Sequence, residues 1–368
     1  MKIAVLSSHT PSLFWFRMDM MKTFQNLGHE VVAVGNEPED QWREKFITNN
    51  IKYIQADIVR NGMNPLKELA TLKSLKNILK KENPDKIFSY QAKTVIYGGI
   101  AAHQLGIKEV YPLIAGLGSV FQGDSISLKI AGIILKCEYW MAFRTAKKVF
   151  FQNTDDSAFF INNHIVSQDK VVMIHGSGVN LDKFSVQPLP DNIAFLCISR
   201  LIRDKGVGEY LKAAEIVKQK HPDIRFLLVG PYDTNPSAIK PEELQYYVEK
   251  GIVEYYGEQT DVRPYLAQSS VYVLPSYREG TPKTVLEAMA CGKAIITTDA
   301  PGCRETVKDG VNGYLVPVKN IDVLVEKMEQ LIQHPDTIEK MAKAGRCMVE
   351  EVFDVKKVNN DICSTMNI

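Results

Sequence analysis

The sequence lacks the features that mark several classes of protein. The six cysteines of its 368 residues form no CxxC pair and its seven histidines show no HxxxH spacing, so neither a disulfide framework nor a zinc site is predicted. No apolar run approaches the ~18 residues that a membrane-spanning helix needs. Because 44 basic residues nearly balance 43 acidic ones, the overall charge gives no indication of a nucleic-acid partner.

The remaining composition is that of an ordinary globular protein. Apolar residues make up 45% and charged residues 24%, and the length exceeds what one small core needs, so two domains are predicted. The opening residues, MKIAVLSS, contain one lysine and a short apolar run, which predicts a first strand rather than a signal peptide. We therefore expect a cytoplasmic protein that meets a membrane only by lying on its inner surface.

Short apolar runs alternate with amphipathic segments along most of the chain. Continuous apolar strands separated by amphipathic helices are typical of a parallel sheet that is covered on both faces. The predicted strands are 2–7, 29–35, 86–89, 109–114, 148–151, 170–174, 193–199, 224–230, 252–256, 271–275 and 294–298. The predicted helices between them are 14–27, 66–81, 95–105, 207–220 and 242–250.

The polar segment VNLDKFSVQPLPDN, residues 179–192, interrupts this alternation. It contains two prolines and no periodicity, which indicates a linker. We predict an α/β protein with Rossmann-like, doubly wound domains at 1–182 and 193–352, a linker at 183–192, and a final segment, 353–368, that packs back on the first domain. Ligands of such folds bind beyond the carboxyl ends of the strands, so the cleft between two facing domains is the predicted site.

Two glutamates flank the start of a predicted helix after the strand at 271–275. Thr281 followed by Pro282 predicts a hydroxyl N-cap and a proline at the first helical position. A helix N-terminus at the carboxyl edge of a parallel sheet suits an anion such as a diphosphate. Glu279 before the helix and Glu287 inside it could accept paired hydrogen bonds from the hydroxyls of a sugar and a ribose. The alternative is a solvated loop glutamate and an incidental helix glutamate.

Two cations follow the strand at 193–199 in the stretch CISRLIRDKGVGEY. Arg200 comes directly after the strand, and Lys205 follows five residues later, ahead of a glycine and a helix. A guanidinium forks onto phosphate oxygens and an ammonium supplies a point charge, so the pair could neutralise a leaving diphosphate without a metal. The alternative is an ordinary exposed basic loop.

These two segments, SRLIRDKG and EGTPKTVLE, resemble the paired signature of the retaining glycosyltransferases of family 4, which have the two-domain GT-B fold. Glu279 and Glu287 match both acidic positions of the family's E-x7-E motif. Three longer stretches resemble the bacterial subgroup that extends lipid-linked glycans, which includes capsule and O-antigen enzymes and the PglA-type N-acetylgalactosaminyltransferases. These stretches are LPSYREGTPKTVLEAMACGKAIITTDAPGCRETV, VGPYDTNPSAI and AGLGSVF. The resemblance covers essentially the whole chain.

The resemblance implies roles for individual residues. Arg200 and Lys205 would hold the donor diphosphate, Glu287 the ribose, and Glu279 the transferred sugar. The backbone near the phosphates would come from Gly280, Thr281, Pro282, Lys283 and Thr284. Glu279, Arg200 and Lys205 would thus be the catalytic residues, with no cofactor and no metal.

On the acceptor side, the resemblance implies a loop at Gly116–Leu117–Gly118 beside donor and acceptor. Many relatives have a histidine near this loop, but this chain has Ala115 before Gly116, so no catalytic histidine is predicted. Arg17 on the first predicted helix could reach an acceptor phosphate. Ser7–Ser8–His9–Thr10 lies where the family has a donor loop, and it lacks GxGxxG, which disfavours a dinucleotide site.

One stretch, SLKIAGIILKCEYWMAFRTAKK at 127–148, could meet an anionic membrane surface. On a helix, Lys129, Lys136 and Lys147 would lie near one line, with Arg144 and Trp140 close by. Basic residues together with an aromatic side chain suit an anionic lipid surface. The alternative is the solvated face of a domain helix.

We therefore predict a GT-B hexosyltransferase that moves a sugar from a nucleotide sugar to a polyprenyl-diphosphate-linked saccharide, with retention. UDP is the leading nucleotide, with GDP open, and an N-acetylhexosamine such as GalNAc is the leading sugar, with a plain or deoxy hexose open. Two alternatives are a nucleotide-sugar 2-epimerase of similar fold and a non-catalytic subunit that binds nucleotide sugar.

Overall fold

The structure of the protein is a computed structural model that describes residues 1–59, 62, 64–117, 121, 125–234 and 237–368. The chain forms two compact units, the first comprising Met1–Ser177 with Val358–Ile368 and the second Gly178–Lys357. These boundaries differ from the predicted ones, because residues 178–192 belong to the second unit. The reason is that this segment carries buried apolar anchors: Val179 exchanges backbone hydrogen bonds with Phe353 and Val355 (2.9 and 3.0 Å), and Phe184 is buried in the second unit's core.

The first unit is built on a parallel sheet. Its described strands are β1 (Lys2–Ser7), β2 (Glu30–Gly35), β3 (Lys52–Gln55), β4 (Lys86–Tyr90), β5 (Val110–Ile114), β6 (Val149–Phe151) and β7 (Val171–Met173). They lie in the order β3-β2-β1-β4-β5-β6-β7. Side chains alternate between the two faces, so Ile3 and Val5 enter one core cluster while Ala4 and Leu6 enter the other.

Helices cover both faces of this sheet. They are α1 (Thr10–Asn26), α2 (Glu39–Ile47), α3 (Pro65–Glu82), α4 (Ala92–Leu105), α5 (Ile126–Phe143), α6 (Thr154–Asn162) and α13 (Val355–Met366). One core cluster contains side chains of α1, α2 and α13, and the other contains side chains of α3 to α6. From α13, the buried residues Val358, Ile362 and Met366 join the first of these clusters.

The second unit repeats the plan with a smaller sheet. Its strands are β8 (Ala194–Ile198), β9 (Arg225–Val229), β10 (Glu254–Tyr255), β11 (Val271–Leu274), β12 (Ala294–Thr298) and β13 (Gly313–Val316), in the order β10-β9-β8-β11-β12-β13. Its helices are α7 (Val207–Lys220), α8 (Pro241–Glu249), α9 (Arg263–Ala267), α10 (Lys283–Ala290), α11 (Ile321–Gln333) and α12 (Pro335–Met348).

The strand order reverses once in each sheet, between β1 and β4 in the first unit and between β8 and β11 in the second. At such a switch point the loops that follow the two strands diverge to opposite faces of the sheet and leave room for a ligand at the carboxyl edge. The loops that carry the predicted donor residues follow β8 and β11 and therefore begin at this position. As for membrane spans, none of the helices in the described ranges has both the length and the apolarity to cross a bilayer.

Candidate active site

The loops after β8 and β11 are joined by hydrogen bonds at the second unit's switch point. The carbonyl oxygen of Asp204 accepts from the Tyr277 amide (2.9 Å) and from Ser276 Oγ (3.2 Å). The Tyr277 hydroxyl in turn donates to Glu209 on α7 (2.6 Å). These contacts fix the position of each loop relative to the other, so side chains from two distant parts of the sequence meet.

Gly206 allows the first of these loops to come this close. Its φ is +70°, and a β-carbon there would lie 2.1 Å from the carbonyl oxygen of Pro275. Only glycine accepts both conditions without displacing backbone. Gly206 thereby ends the short 3₁₀ turn Arg203–Lys205 and holds Lys205 beside the end of β11.

The structure pairs Lys205 directly with Glu279. The Nζ of Lys205 donates to Oε1 of Glu279, and the two side chains keep 21% and 13% of their surface exposed. The sequence predicts separate partners, diphosphate for Lys205 and sugar for Glu279, and it does not indicate that the two residues contact each other. The result is a half-buried ion pair at the switch point, open enough for a ligand to reach.

A third loop supports Glu279 from the end of β12. The Glu279 amide donates to the carbonyl oxygen of Pro301 (2.9 Å). Gly302 has a φ of +82°, and a β-carbon there would lie 2.2 Å from the carbonyl oxygen of Glu279. The Pro301–Gly302 dipeptide is a turn signal in the sequence that could have indicated this supporting loop.

The helix α10 begins one residue later than predicted. Pro282 is the N-cap, in extended backbone (φ −70°, ψ 107°), and Lys283 is the first helical residue, so Thr281 is not the cap. Proline carries no capping oxygen, which leaves the first-turn amides without a side-chain cap. Thr284 in this turn is oriented by Tyr272, whose hydroxyl donates to Thr284 Oγ1 (2.7 Å). Gly280 and Thr281 form the loop that leads into the helix.

Glu287 is a buried carboxyl on the second turn of α10, only 9% exposed. Burial raises the pKa of this carboxyl to about 7, although the positive charges of Lys283 and Lys183 act in the opposite direction. Burying an acid costs free energy, and buried acids with strongly shifted pKa values are concentrated at functional sites. The alternative of an incidental, solvated helix glutamate therefore does not fit Glu287.

Arg200 pairs with a different carboxylate from Lys205. Its NH1 donates to Asp233 Oδ2 at 2.8 Å, and about half of the side chain (47%) is exposed. Asp233 lies in the segment VGPYDTNPSAI, and its contact with Arg200 is not predicted from the sequence. Of the predicted donor residues, the structure brings together Lys205, Glu279 and the start of α10, while Arg200 is held on a carboxylate of a neighbouring loop.

On the acceptor side, Arg17 lies deeper in the helix than predicted. Because α1 begins at Thr10, Arg17 is about two turns into the helix rather than in its first turn, and it is only 3% exposed. Gly116 follows β5 with a φ of +139°, and Leu117 packs against the apolar core beneath α4 and α5. Gly118, the last of the predicted acceptor residues, lies outside the described residues.

Comparisons with known proteins agree with this architecture. A family model for glycosyl transferases group 1 matches residues 180–348, and one for glycosyl transferase 4-like proteins matches residues 2–153. The N,N'-diacetylbacillosaminyl-diphospho-undecaprenol alpha-1,3-N-acetylgalactosaminyltransferase of Campylobacter jejuni is 31% identical over 350 residues, 90% of each chain. This chain belongs to the same glycosyltransferase family.

Further relatives and solved structures show the same family and fold. A UDP-Gal:alpha-D-GlcNAc-diphosphoundecaprenol alpha-1,3-galactosyltransferase of Escherichia coli is 24% identical, covering 85% of this chain and 82% of its own. Anabaena HepE, solved with UDP and glucose, superimposes with a TM-score of 0.81 at 19% identity over 100% of this chain and 99% of its own. The predicted GT-B fold and hexosyltransferase activity are thus confirmed, and the epimerase and non-catalytic alternatives are not favoured.

The glycosyltransferase presents a different surface on α5 from the predicted basic stripe. The helix ends at Phe143, so Arg144 is its C-cap and Lys147 lies beyond it, paired with Glu109, while Lys136 donates to Asn163 (2.7 Å). Lys129 and Trp140 remain exposed on the helix, and Arg144 lies over the Trp140 ring (5.5 Å). The exposed apolar side chains are Ile126, Ile130, Ile133, Ile134, Trp140 and Met141. They recur at intervals of three, four and seven residues, which makes an outward face that is apolar, with cations at its margin.

Proposed function

We propose that this glycosyltransferase moves a sugar from a UDP-sugar, with retention, to a saccharide carried on a polyprenyl diphosphate. The observation that carries the proposal is the Lys205–Glu279 ion pair beside the start of α10 at the second unit's switch point. The names of the Campylobacter and E. coli relatives, both of which specify a diphospho-undecaprenol acceptor, support the choice of acceptor. The UDP bound to the HepE fold supports the choice of nucleotide.

The donor diphosphate would bind where Lys205 and the first turn of α10 supply positive charge. Its oxygens would compete with the Glu279 carboxylate for the Lys205 ammonium. In this arrangement donor binding separates the ion pair, and the carboxylate of Glu279 becomes an acceptor for hydroxyls of the transferred sugar. Arg200, which is half exposed on Asp233, would turn onto the same phosphates. These cations would neutralise the leaving UDP without a metal ion.

Glu287 would hold the ribose of the nucleotide. Two vicinal hydroxyls donate best to an ionised carboxylate, yet burial raises the pKa of Glu287 to about 7 in the protein alone. Binding of the ribose would therefore lower this pKa and favour the ionised form. The hydroxyl contacts would replace the water that burial removes, so the free-energy cost of the buried acid is offset when the nucleotide is present.

The proposal also covers the transferred sugar and the group that accepts the proton of the acceptor hydroxyl. An N-acetylhexosamine is the proposed sugar, in line with the acetylgalactosamine of the Campylobacter relative. A donor phosphate oxygen would accept the proton of the acceptor hydroxyl.

The protein would work on the inner face of the cell membrane. The apolar face of α5 would lie in the lipid interface, with Lys129 and Arg144 against anionic headgroups.

A thermal-shift screen with UDP, GDP and their sugars tests the donor assignment. A ligand at a hundred times its dissociation constant stabilises the folded state by about 2.7 kcal/mol, so we expect UDP and one UDP-sugar to raise the unfolding temperature clearly. The UDP-sugar that stabilises most is then incubated with a lipid-diphosphate-linked saccharide, and the anomeric configuration of the product is read by NMR. Stabilisation by GDP alone, or an inverted product, would contradict the proposal.

A further inference from the structure

Arg17 is a buried arginine that forms no ion pair with any carboxylate of the described residues. It is 3% exposed, and its Nε is shut off from solvent without a hydrogen-bond partner. Its guanidinium lies over two aromatic rings, that of Tyr90 at 4.9 Å and that of Phe88 at 5.8 Å. Buried arginines are normally paired, because removing a charge from water without compensation costs several kcal/mol. An unpaired one therefore points to a partner outside the chain.

The charge of Arg17 persists despite this burial. Loss of solvent lowers the pKa of the guanidinium to about 10, which leaves it protonated at neutral pH. The two terminal nitrogens make no hydrogen bond with the described residues, and they are not among the fully buried atoms. They therefore retain a small accessible surface with their donors unused. A planar fork of this kind matches the oxygens of a phosphate.

The surroundings of Arg17 lie at the switch point of the first unit. Tyr90 ends β4, and its hydroxyl hydrogen-bonds with Ser12 Oγ (3.0 Å), which also accepts from Gln91 (3.0 Å). Gln91 accepts from Ser8 (2.9 Å) in the loop after β1. This network is neutral, and the amide of Thr10 at the start of α1 is already bonded to Asn36 (3.0 Å). Positive charge for an anion at this end of α1 therefore comes from Arg17.

We propose that Arg17 binds a phosphate of the acceptor's diphosphate, an inference that rests on the proposed function. The same helix exposes Trp15 and Phe16, whose apolar surface suits an isoprenyl chain attached to that phosphate. Arg17 would thus position the acceptor and would not react with it. The donor residues lie in the other unit, so the two sites can be tested separately.

The test uses the full-length protein and isothermal titration with a short-chain isoprenyl diphosphate, with inorganic pyrophosphate and with UDP. Arg17→Met keeps the volume and removes the charge, and Arg43→Met, on the exposed surface of α2, is the matched control. We expect Arg17→Met to weaken isoprenyl diphosphate binding by roughly tenfold or more, with Arg43→Met unchanged. UDP binding should be the same in all three proteins. The unfolding temperature of Arg17→Met without ligand should equal or exceed that of the wild type.

Unchanged isoprenyl diphosphate binding by Arg17→Met, with a lowered unfolding temperature, would make Arg17 a structural residue and overturn the proposal. Equal affinity of the wild type for pyrophosphate and isoprenyl diphosphate would overturn the assignment to the lipid-linked acceptor. Failure of the wild type to bind UDP would instead count against the proposed donor site, and the test of Arg17 with isoprenyl diphosphate would still decide the inference. If Arg17→Met does not fold, Arg17→Lys decides, because it keeps the charge without the fork. A several-fold loss would support the proposal, and no loss would overturn it.

Discussion

Each unit presents two loops where its strand order reverses. The cation near these loops pairs with a carboxylate in the second unit and lies against aromatic rings in the first. In the second unit Lys205 is paired with Glu279, a carboxylate from the other loop. In the first unit Arg17 is buried against Tyr90 and Phe88, and among the residues that the structure describes it has no ion-pair partner. A paired cation can be exchanged between partners, and its release also frees the carboxylate. A buried cation without a partner keeps its donors available, at a cost in stability.

The difference predicts that equivalent mutations will have opposite effects on stability. Neutralising Lys205 removes the cation that pairs with the half-buried Glu279. Neutralising Arg17 removes a buried charge that no carboxylate of the described residues compensates.

Removal of the paired cation should have the largest effect on the reaction. Lys205→Ala should lower turnover by roughly ten- to hundredfold, because the leaving diphosphate loses a charge-assisted contact worth about 1.5–3 kcal/mol. The measurement is the initial rate with donor and lipid-linked acceptor. Lys220→Ala is the control, since this exposed lysine pairs with Glu329 on the same unit. Turnover within twofold of the wild type would remove Lys205 from the site.

Changing each of the two glutamates to glutamine should impair the enzyme in a different way. Glu279→Gln should lower turnover and leave the affinity for UDP undiminished, because Lys205 keeps its charge and loses a competing partner. Glu287→Gln should weaken the binding of UDP and of the UDP-sugar alike, since it would contact a part of the donor that does not react. Titration of both ligands into both variants, with rates alongside, decides this. If Glu279→Gln abolishes UDP binding while Glu287→Gln does not, the two roles are reversed.

The buried acid should make ligand-free stability depend on pH. Burial raises the pKa of Glu287 to about 7. Between about pH 4.5 and 7 the folded state therefore keeps the proton of this carboxyl, whereas the unfolded state has released it. This carboxyl therefore destabilises the fold progressively as pH rises through that range, by up to about 3 kcal/mol at pH 8. Glu287→Gln should gain stability over the wild type at pH 8 and little at pH 4.5. Urea unfolding at both pH values measures the difference, and equal gains would contradict the assignment.

Membrane attachment should depend on the first unit alone. Lys129→Gln with Arg144→Gln should weaken binding to anionic vesicles at low salt by roughly thirtyfold, at about 1 kcal/mol for each basic residue. Ile130→Ser with Ile133→Ser should remove the part of the binding that salt does not weaken. Val311→Ser, an exposed apolar residue of the second unit, is the control and should have no effect. Absence of the wild type from vesicles at any salt concentration would leave the α5 face without a lipid partner.

Chelation of metal ions should have the smallest effect. Lys205, Arg200 and the first turn of α10 are expected to neutralise the leaving diphosphate, so activity should persist in an excess of EDTA. The initial rate with and without chelator measures this. Loss of activity that magnesium restores would show that these cations are insufficient.

Periodicity predicted much of the fold because it depends on local sequence. β1, α7 and β12 have the predicted bounds, since each is a short, regular apolar pattern with a clear end. The helix α2 and the strand β3 were missed, because the exposed residues of α2 obscure its two buried aromatics, Trp42 and Phe46. The linker was predicted from polarity and prolines, but Val179 and Phe184 are buried by strands and helices far away in the sequence.

The candidate site was predicted as a set of residues and not as an arrangement. Motif spacing identified Lys205, Glu279 and Glu287, because loops after parallel strands converge at one edge of the sheet. The contact between Lys205 and Glu279 depends on how closely two loops approach each other. Gly206 and Gly302 permit this close approach, and no local sequence pattern predicts it. The same holds for Arg17, whose burial depends on the packing of α1 against Phe88 and Tyr90.

The placement of α13 has a consequence for how the protein is made. Val358, Ile362 and Met366 pack in the core of the first unit, so this unit contains residues that precede the second unit in the sequence and residues that follow it. During translation, the strands and helices of residues 1–177 leave the ribosome long before this last helix does. Their apolar face beneath α1 and α2 therefore stays open while the whole second unit is synthesised. The domain that is translated first is the one that completes its folding last.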